Sequence, residues 1–159
     1  MTLILGIDPG LRFTGYGIID CENGRLRHVA NGTIRISEKL PMPERLAAIH
    51  RGLSKVLEEH SPDEAAVEEA FVNMNPSSTL RLGQARGVAL LTPGLFGVPV
   101  YEYSPNLVKK SVVGAGHAAK EQIGMMVGVL LGRPKVDSEH SADALAIAIC
   151  HAHNRTAPE

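Results

Sequence analysis

The chain begins with an uninterrupted apolar run at 3–7 that leads directly into Asp8. A run without polar alternation is typical of a strand covered on both faces, so we predict a central strand here. Pro9 cannot donate to a ladder and Gly10 favours a turn, so this strand ends beside Asp8. Open α/β sheets hold their chemistry at such strand ends. Two interpretations of Asp8 therefore remain open at this point: a catalytic carboxylate, or a brace for its own turn.

The rest of the hydrophobic pattern predicts further strands and the helices that connect them. Strands are predicted at 14–21, 26–36, 64–71 and 98–103, with a tight turn at 22–24. Helices are predicted at 41–61, 79–91, from 105, at 118–131 and at 138–150. Because a helix carries the chain from the third strand to the fourth, the fourth should run parallel to the first. We therefore predict an α/β fold: a five-stranded mixed sheet of three antiparallel strands followed by helix-connected parallel strands, with helices on both faces.

Length and composition predict the domain organisation and the cellular compartment, but they do not predict the reaction. The length of 159 residues and the hydrophobic share of 44% predict one domain at 1–155 with a short frayed tail at 156–159. No apolar run approaches the ~18 residues of a membrane span, and the first residues lack a basic segment followed by an apolar core. We expect a cytoplasmic protein with no membrane association. Cys21 and Cys150 fit no metal or redox spacing and are expected to be reduced.

The formal net charge of −1 hides an uneven distribution of charge. Six acidic residues and no Lys or Arg lie at 57–69, whereas residues 104–135 carry a net charge of +4. Such segregation can place a basic patch for nucleic acid on a protein that is neutral overall. Charge alone favours the alternative of two ordinary solvated surfaces.

Glu68 lies in the predicted fourth strand, beside Asp8 at the same end of the sheet. A buried carboxylate next to another carboxylate needs a cation or a proton, and a divalent metal ion is the simplest remedy. The alternative is that Glu68 reaches a lysine or sits at an exposed strand end.

The last helix adds His140 and Asp143, which are three residues apart and share a face near the helix start. A capping histidine and a dipole-compensating aspartate would explain the same pattern. Taken with Asp8 and Glu68, the set becomes three carboxylates and one imidazole at one edge of the sheet. Such donors suit Mg²⁺ or Mn²⁺, and two ions ~3.5–4 Å apart could support phosphodiester hydrolysis.

Six short motifs occur in order along the chain: Gly-Ile-Asp-Pro-Gly at 6–10, Thr-Gly-Tyr-Gly at 14–17, Val-Glu-Glu-Ala-Phe at 67–71, Leu-Gly-Gln-Ala-Arg-Gly at 82–87, Val-Lys-Lys-Ser-Val-Val-Gly at 108–114 and Ala-Asp-Ala-Leu-Ala-Ile-Ala at 142–148. Together and in this order, they resemble the motifs of the RuvC Holliday-junction resolvases. The resemblance implies a ribonuclease-H-like fold and a homodimeric, Mg²⁺-dependent endonuclease that cuts two like-polarity strands of a four-way junction symmetrically. It places the catalytic acids at Asp8, Glu68 and Asp143. The fourth position is commonly aspartate in this family and is His140 here, which bears on metal preference rather than on the reaction.

The resemblance also implies contacts with DNA and with other proteins. Phe71 is similar to an aromatic residue that stacks on a base near the junction, and Lys109 and Lys120 are similar to lysines near the scissile phosphate. RuvA and RuvB, the branch-migration proteins, are implied as partners. We predict further DNA contacts at Arg81, Arg86 and Lys110. The helix at 79–91 has enough small and apolar residues for a dimer interface, and equally for core packing.

Three other functions deserve comparison with this one. An RNA-processing nuclease of the same fold, like the YqgF proteins, also starts Gly-Ile-Asp-x-Gly, but the lysine segment and the Gly-Gln-Ala-Arg-Gly stretch argue against it. An actin-like ATPase needs two such domains, which 159 residues do not supply. A junction-binding protein without cleavage is disfavoured by the three retained carboxylates.

Overall fold

The computed structural model describes residues 1–69, 75–114 and 120–155, without the side chain of Lys120. The strands are β1 (Thr2–Asp8), β2 (Phe13–Glu22), β3 (Arg25–Arg35), β4 (Glu64–Glu68) and β5 (Val100–Tyr103). The helices are α1 (Met42–His60), α2 (Pro76–Leu95), α3 (Pro105–Val113), α4 (Lys120–Leu130) and α5 (Glu139–Asn154). The sheet order is β3-β2-β1-β4-β5, with β1 antiparallel to β2 and parallel to β4. The predicted mixed sheet, with β1 at its centre, is confirmed.

Each face of the sheet is covered by its own group of helices. Leu5 and Ile7 of β1 pack into a core with α1 and α2, whereas Ile4 packs into the core that α3, α4 and α5 build on the other face. Strand β4 divides in the same way, with Val67 in the first core and Ala66 in the second. Because side chains alternate along a strand, Glu68 lies on the α5 side with Ala66.

Glycines in the two central strands let α5 lie directly against the sheet. A Cβ atom on Gly15 would come within 2.1 Å of the His140 carbonyl oxygen, and one on Gly6 within 2.0 Å of the Ala144 carbonyl oxygen. No side chain fits into either gap. The start of α5 is therefore held close to the end of β1, where Asp8 lies.

Helix α2 is longer at both ends than the pattern predicts. It begins at Pro76 rather than 79 because the Asn75 side chain accepts hydrogen bonds from the backbone amides of Ser77 and Ser78, while proline is well tolerated at the first helical position. It also runs to Leu95, so the predicted end near 91 is wrong. Pro93 lies in the last turn, where the loss of one amide donor does not end the helix.

The other differences concern element ends. Helix α5 continues through the predicted end at 150 to Asn154. The predicted ends of the fourth strand, at 70–71, and of the fourth helix, at 118–119, lie outside the described residues. Cys21 and Cys150 are both free, and Cys150 is buried. None of the described helices combines the length and the apolarity needed to cross a membrane.

Candidate active site

Asp8 and Glu68 end two neighbouring parallel strands. The register pairs Ile7 of β1 with Val67 of β4, so the next residue on each strand is one of these carboxylates. Both are partly buried. The strand order predicted from sequence therefore brings the two acids to the same edge of the sheet.

A capping box fixes the start of α5 at this edge. The Ser138 hydroxyl accepts a hydrogen bond from the Ser141 amide at 3.2 Å, and the Ser141 hydroxyl accepts one from the Ser138 amide at 2.9 Å. Thr33 of β3 holds the Ser138 hydroxyl through a further hydrogen bond of 2.5 Å. With its start fixed, the helix carries His140 and Asp143 in its first two turns.

The His140 ring lies between the first carboxylate and an aromatic side chain. Its Nδ1 atom is 3.7 Å from Oδ2 of Asp8, and its Nε2 atom is 3.9 Å from Oε1 of Glu139. Phe13 stacks on the imidazole with ring centroids 5.0 Å apart and planes inclined by 18°, and the Arg12 guanidinium lies 5.3 Å from the Phe13 centroid. Sequence reasoning gave Phe13 no role; the available signal was an aromatic residue just after the Asp-Pro-Gly turn.

Glu68 lies close to another charged carboxylate of the candidate site. Burial raises the pKa of its carboxyl group, the charge of Asp143 raises it further, and the charge of Lys109 offsets part of the rise. Two neighbouring carboxylates resist being ionised together because their charges repel. This edge of the sheet therefore favours a bound cation.

The donors are present as two pairs rather than as a closed set. Asp8 lies beside His140, and Glu68 interacts with Asp143 through charge. Within 1–69, 75–114 and 120–155, no three His, Cys, Asp or Glu side chains converge closely enough to hold a metal ion in this arrangement. The donor types fit a hard divalent ion, since three of the four are carboxylates. Side-chain rotation would be needed to draw the two pairs onto one ion.

The lysines and arginines predicted to contact DNA differ in exposure and in what they contact. Lys109 of α3 is partly buried and close enough for its charge to act on Glu68, whereas Lys110 and Arg81 are exposed. Phe71 and the side chain of Lys120 lie outside the described part of the chain.

Arg86 makes its observed contacts inside the protein. Its Nε atom donates to the Glu68 carbonyl oxygen at 3.0 Å, and its terminal nitrogen pairs with the Glu102 carboxylate of β5. The predicted DNA contact of Arg86 remains a prediction. Sequence reasoning missed Glu102, for which an isolated acidic residue in a short strand gives no signal.

His151 is part of a buried polar network near the C-terminal end of α5. It is 1% exposed, and its Nε2 atom lies 3.0 Å from Oε1 of Glu64, while its Nδ1 atom bonds the Tyr103 hydroxyl. Arg155 donates to the same Glu64 carboxylate at 2.9 Å. This network lies at the opposite end of α5 from His140, so the two histidines serve different regions.

Comparison with known proteins gives a consistent result over nearly the whole chain. The family model described as "Crossover junction endodeoxyribonuclease RuvC" matches residues 4–151. Relatives of that name from Azorhizobium caulinodans and Paramagnetospirillum magneticum are each 61% identical, over 98% and 96% of this chain and 92% of each relative. The structure of T. thermophilus RuvC in complex with Holliday junction substrate is similar, with a TM-score of 0.88 and 36% identity over 96% of this chain and 93% of that one.

Proposed function

Because this chain belongs to the RuvC family of crossover junction endodeoxyribonucleases, we propose that it resolves four-way DNA junctions by cutting two strands of like polarity. We assign the active site to the edge of the sheet where β1, β4 and α5 meet. The observation that supports this is the proximity of four side chains there: Asp8, Glu68, His140 and Asp143. Residues 1–155 act as one nuclease domain in this proposal.

All four side chains offer donor atoms for a divalent cation. Asp8, Glu68 and Asp143 offer oxygen atoms, and His140 offers a ring nitrogen. A bound cation supplies an activated water and offsets the negative charge that develops on the phosphate. Holding a cation would offset the burial and the charge of Asp143, which together raise the pKa of Glu68. We propose Mg²⁺ as the ion, with Mn²⁺ as an effective substitute because it accepts nitrogen more readily.

Cations around the site hold the phosphate backbone. Lys109 is placed for the scissile phosphate, since its charge already acts on Glu68. Exposed Lys110 and Arg81 would contact phosphates further along the strand. The proposed roles of Phe71 in base stacking and of Lys120 at the phosphate rest on the family resemblance.

A symmetric pair of cuts requires a second copy of this site. A twofold homodimer supplies one, because each protomer then presents the same four side chains to a related strand. Helix α2 and the turn after it expose a series of large apolar side chains that would suit the interface: Leu80, Leu91, Leu95 and Phe96. RuvA and RuvB are proposed as further partners on the same basis as the family assignment.

The test is cleavage of a synthetic mobile four-way junction, with each strand labelled in turn. We expect paired nicks at symmetric positions, with ends that a ligase can seal, in Mg²⁺ and not in EDTA. Linear duplex of the same sequence and the variant Asp8→Asn serve as controls. Preferential cleavage of structured RNA would favour an RNA-processing nuclease instead. Tight junction binding without cleavage in either Mg²⁺ or Mn²⁺ would favour a silent binding protein.

A further inference from the structure

Arg86 connects three elements directly behind the candidate active site. The side chain leaves α2 and is only 15% exposed. Its Nε atom donates to the backbone oxygen of Glu68 at 3.0 Å, and a terminal nitrogen of the same guanidinium pairs with Glu102 of β5. One planar group therefore holds the end of β4 and the side of β5 at the same time.

The Glu68 carbonyl group lies just beyond the last paired residue between β4 and β1. The paired register of β4 with β1 ends at Val67, one residue before Glu68. On the other side, the Glu69 amide donates to the Tyr103 carbonyl at 2.8 Å, which keeps β4 attached to β5. The hydrogen bond from Arg86 to the Glu68 carbonyl oxygen adds a further constraint at this strand end.

Arginine is suited to this task in a way that lysine is not. The guanidinium is planar and presents its donors at fixed angles, whereas an ammonium group is a single point of charge on a flexible stem. Pairing with Glu102 also offsets the positive charge of Arg86, which makes this side chain a weaker candidate for a phosphate contact than exposed Arg81.

We propose that Arg86 is a positioning residue that sets the backbone of Glu68, so that its carboxylate is aimed at the metal site, with Glu102 holding the guanidinium in place. The inference rests on the proposed function, because it assigns a purpose to the direction of the Glu68 carboxylate. Groups that orient metal ligands typically change metal affinity or activity by about 10–100-fold when they are removed.

The experiment compares Arg86→Gln, Arg86→Lys and Glu102→Gln with the wild-type chain. Arg51→Gln is the matched control, because Arg51 is an exposed arginine on α1. Mn²⁺ binding to the protein alone is followed by electron paramagnetic resonance of the free ion. Junction binding is measured against salt concentration, and single-turnover cleavage against Mg²⁺ concentration. Circular dichroism establishes that each variant is folded.

We expect Arg86→Gln to weaken Mn²⁺ binding by about 10–100-fold and to raise the half-saturating Mg²⁺ concentration for cleavage by a similar factor. The salt dependence of junction binding should be unchanged. Arg86→Lys should recover little, since one ammonium cannot make both contacts. Glu102→Gln keeps an acceptor for the guanidinium, so its effect should be smaller and in the same direction. Arg51→Gln should match the wild type.

Other outcomes separate the inference from the proposed function. Normal Mn²⁺ binding with a salt slope reduced by about one would show that Arg86 contacts a phosphate, and would overturn the inference. Normal values of every quantity would overturn it as well. If Arg86→Gln does not fold, Glu102→Gln decides, because wild-type Mn²⁺ binding in that variant contradicts the proposed arrangement. Failure of the wild-type chain itself to bind Mn²⁺ and cleave junctions would instead count against the proposed function.

Discussion

The two ends of β4 and α5 surround partly buried carboxylates with groups of opposite charge. At one end, Glu64 accepts hydrogen bonds from Arg155 at 2.9 and 3.2 Å and lies 3.0 Å from the His151 ring. At the other end, Glu68 lies in the field of a second carboxylate, Asp143. The same strand and the same helix form both environments.

The pKa shifts of the two glutamates differ in sign as a result. Burial raises the pKa of Glu64, but the hydrogen bonds and charges of Arg155 and His151 outweigh it and leave the pKa below its usual value. Burial and Asp143 together raise the pKa of Glu68. At one end the carboxylate is therefore stabilised within the fold, whereas at the other a second carboxylate opposes ionisation of the first. The comparison supports a structural role for the first end and the proposed cation site at the second.

We call the edge that holds Asp8, Glu68, His140 and Asp143 the crowded end. Removal of one carboxylate from it should have the largest effect on activity. Asp143→Asn takes away a candidate ligand, and metal ions contribute several kcal/mol to phosphodiester hydrolysis, so we expect cleavage to fall by about a thousandfold or more. Junction binding should be retained or strengthened, because a negative charge near the phosphates is lost. Undiminished nicking by the purified variant would remove Asp143 from the site.

The opposite result is expected at the other end of the strand. Glu64→Gln removes the charge that Arg155 and His151 share, and hydrogen bonds to charged groups contribute about 1.5–3 kcal/mol each. Because the Glu64 side chain is 14% exposed and Arg155 30% exposed, we expect a loss of about 2 kcal/mol in the free energy of unfolding in urea. Cleavage per folded molecule should be normal. Glu58→Gln, on the exposed surface of α1, is the control. An unchanged unfolding free energy would contradict the structural role of this network.

The positions of Asp8 and Glu68 can be predicted from the sequence because they depend on the order of the strands. Once a helix carries the chain from β3 to β4, Asp8 and Glu68 must end adjacent parallel strands. The spacing of His140 and Asp143 similarly follows from helical geometry. These positions need the direction of each element, and no knowledge of how side chains pack.

Contacts made by packed side chains are what the sequence does not disclose. The stacking of Phe13 on His140 depends on how closely α5 approaches β2, which is set by the space above Gly15. The bond from Arg86 to Glu68 depends on the rotation of α2 about its axis. The hydrogen bond between His151 and Tyr103 likewise depends on the packing of two different elements, α5 and β5.

Replacement of the His140 imidazole tests how the ligands of the crowded end set the preference between Mg²⁺ and Mn²⁺. His140→Asp adds a fourth carboxylate, and oxygen ligands favour Mg²⁺ whereas nitrogen ligands are better accepted by Mn²⁺. We expect the half-saturating Mg²⁺ concentration to fall several-fold, and the ratio of Mn²⁺ to Mg²⁺ rates to fall with it. The measurement is the cleavage rate against each metal for both proteins. Superimposable metal profiles would show that His140 is not a ligand.

The Glu64 network also predicts a loss of stability in acid. An unfolded glutamate titrates near ~4.3, and the pKa of folded Glu64 is lower, so the unfolded chain binds more protons between the two values. The stabilising contribution is therefore complete above the unfolded pKa and is lost as pH falls through the folded one. Arg155 and His151 face this carboxylate from α5, with Tyr101 and Tyr103 of β5 against the imidazole. The difference in unfolding free energy between wild type and Glu64→Gln should be constant near neutral pH and shrink below about pH 4. A difference that does not change in acid would contradict the assignment to Glu64.

The smallest effect concerns the cations that accompany the two glutamates. Arg155 donates two hydrogen bonds to Glu64, whereas Lys109 lowers the pKa of Glu68 through its charge. Lys109 can therefore serve a phosphate, and Lys109→Ala should reduce the log–log salt slope of junction binding by about one unit. Lys55→Ala, at an exposed position of α1, should leave the slope unchanged. If Lys109→Ala leaves both the slope and the cleavage rate unchanged, Lys109 only moderates the charge of Glu68. The crowded end would then rely on the bound cation and on other basic residues to hold the strand.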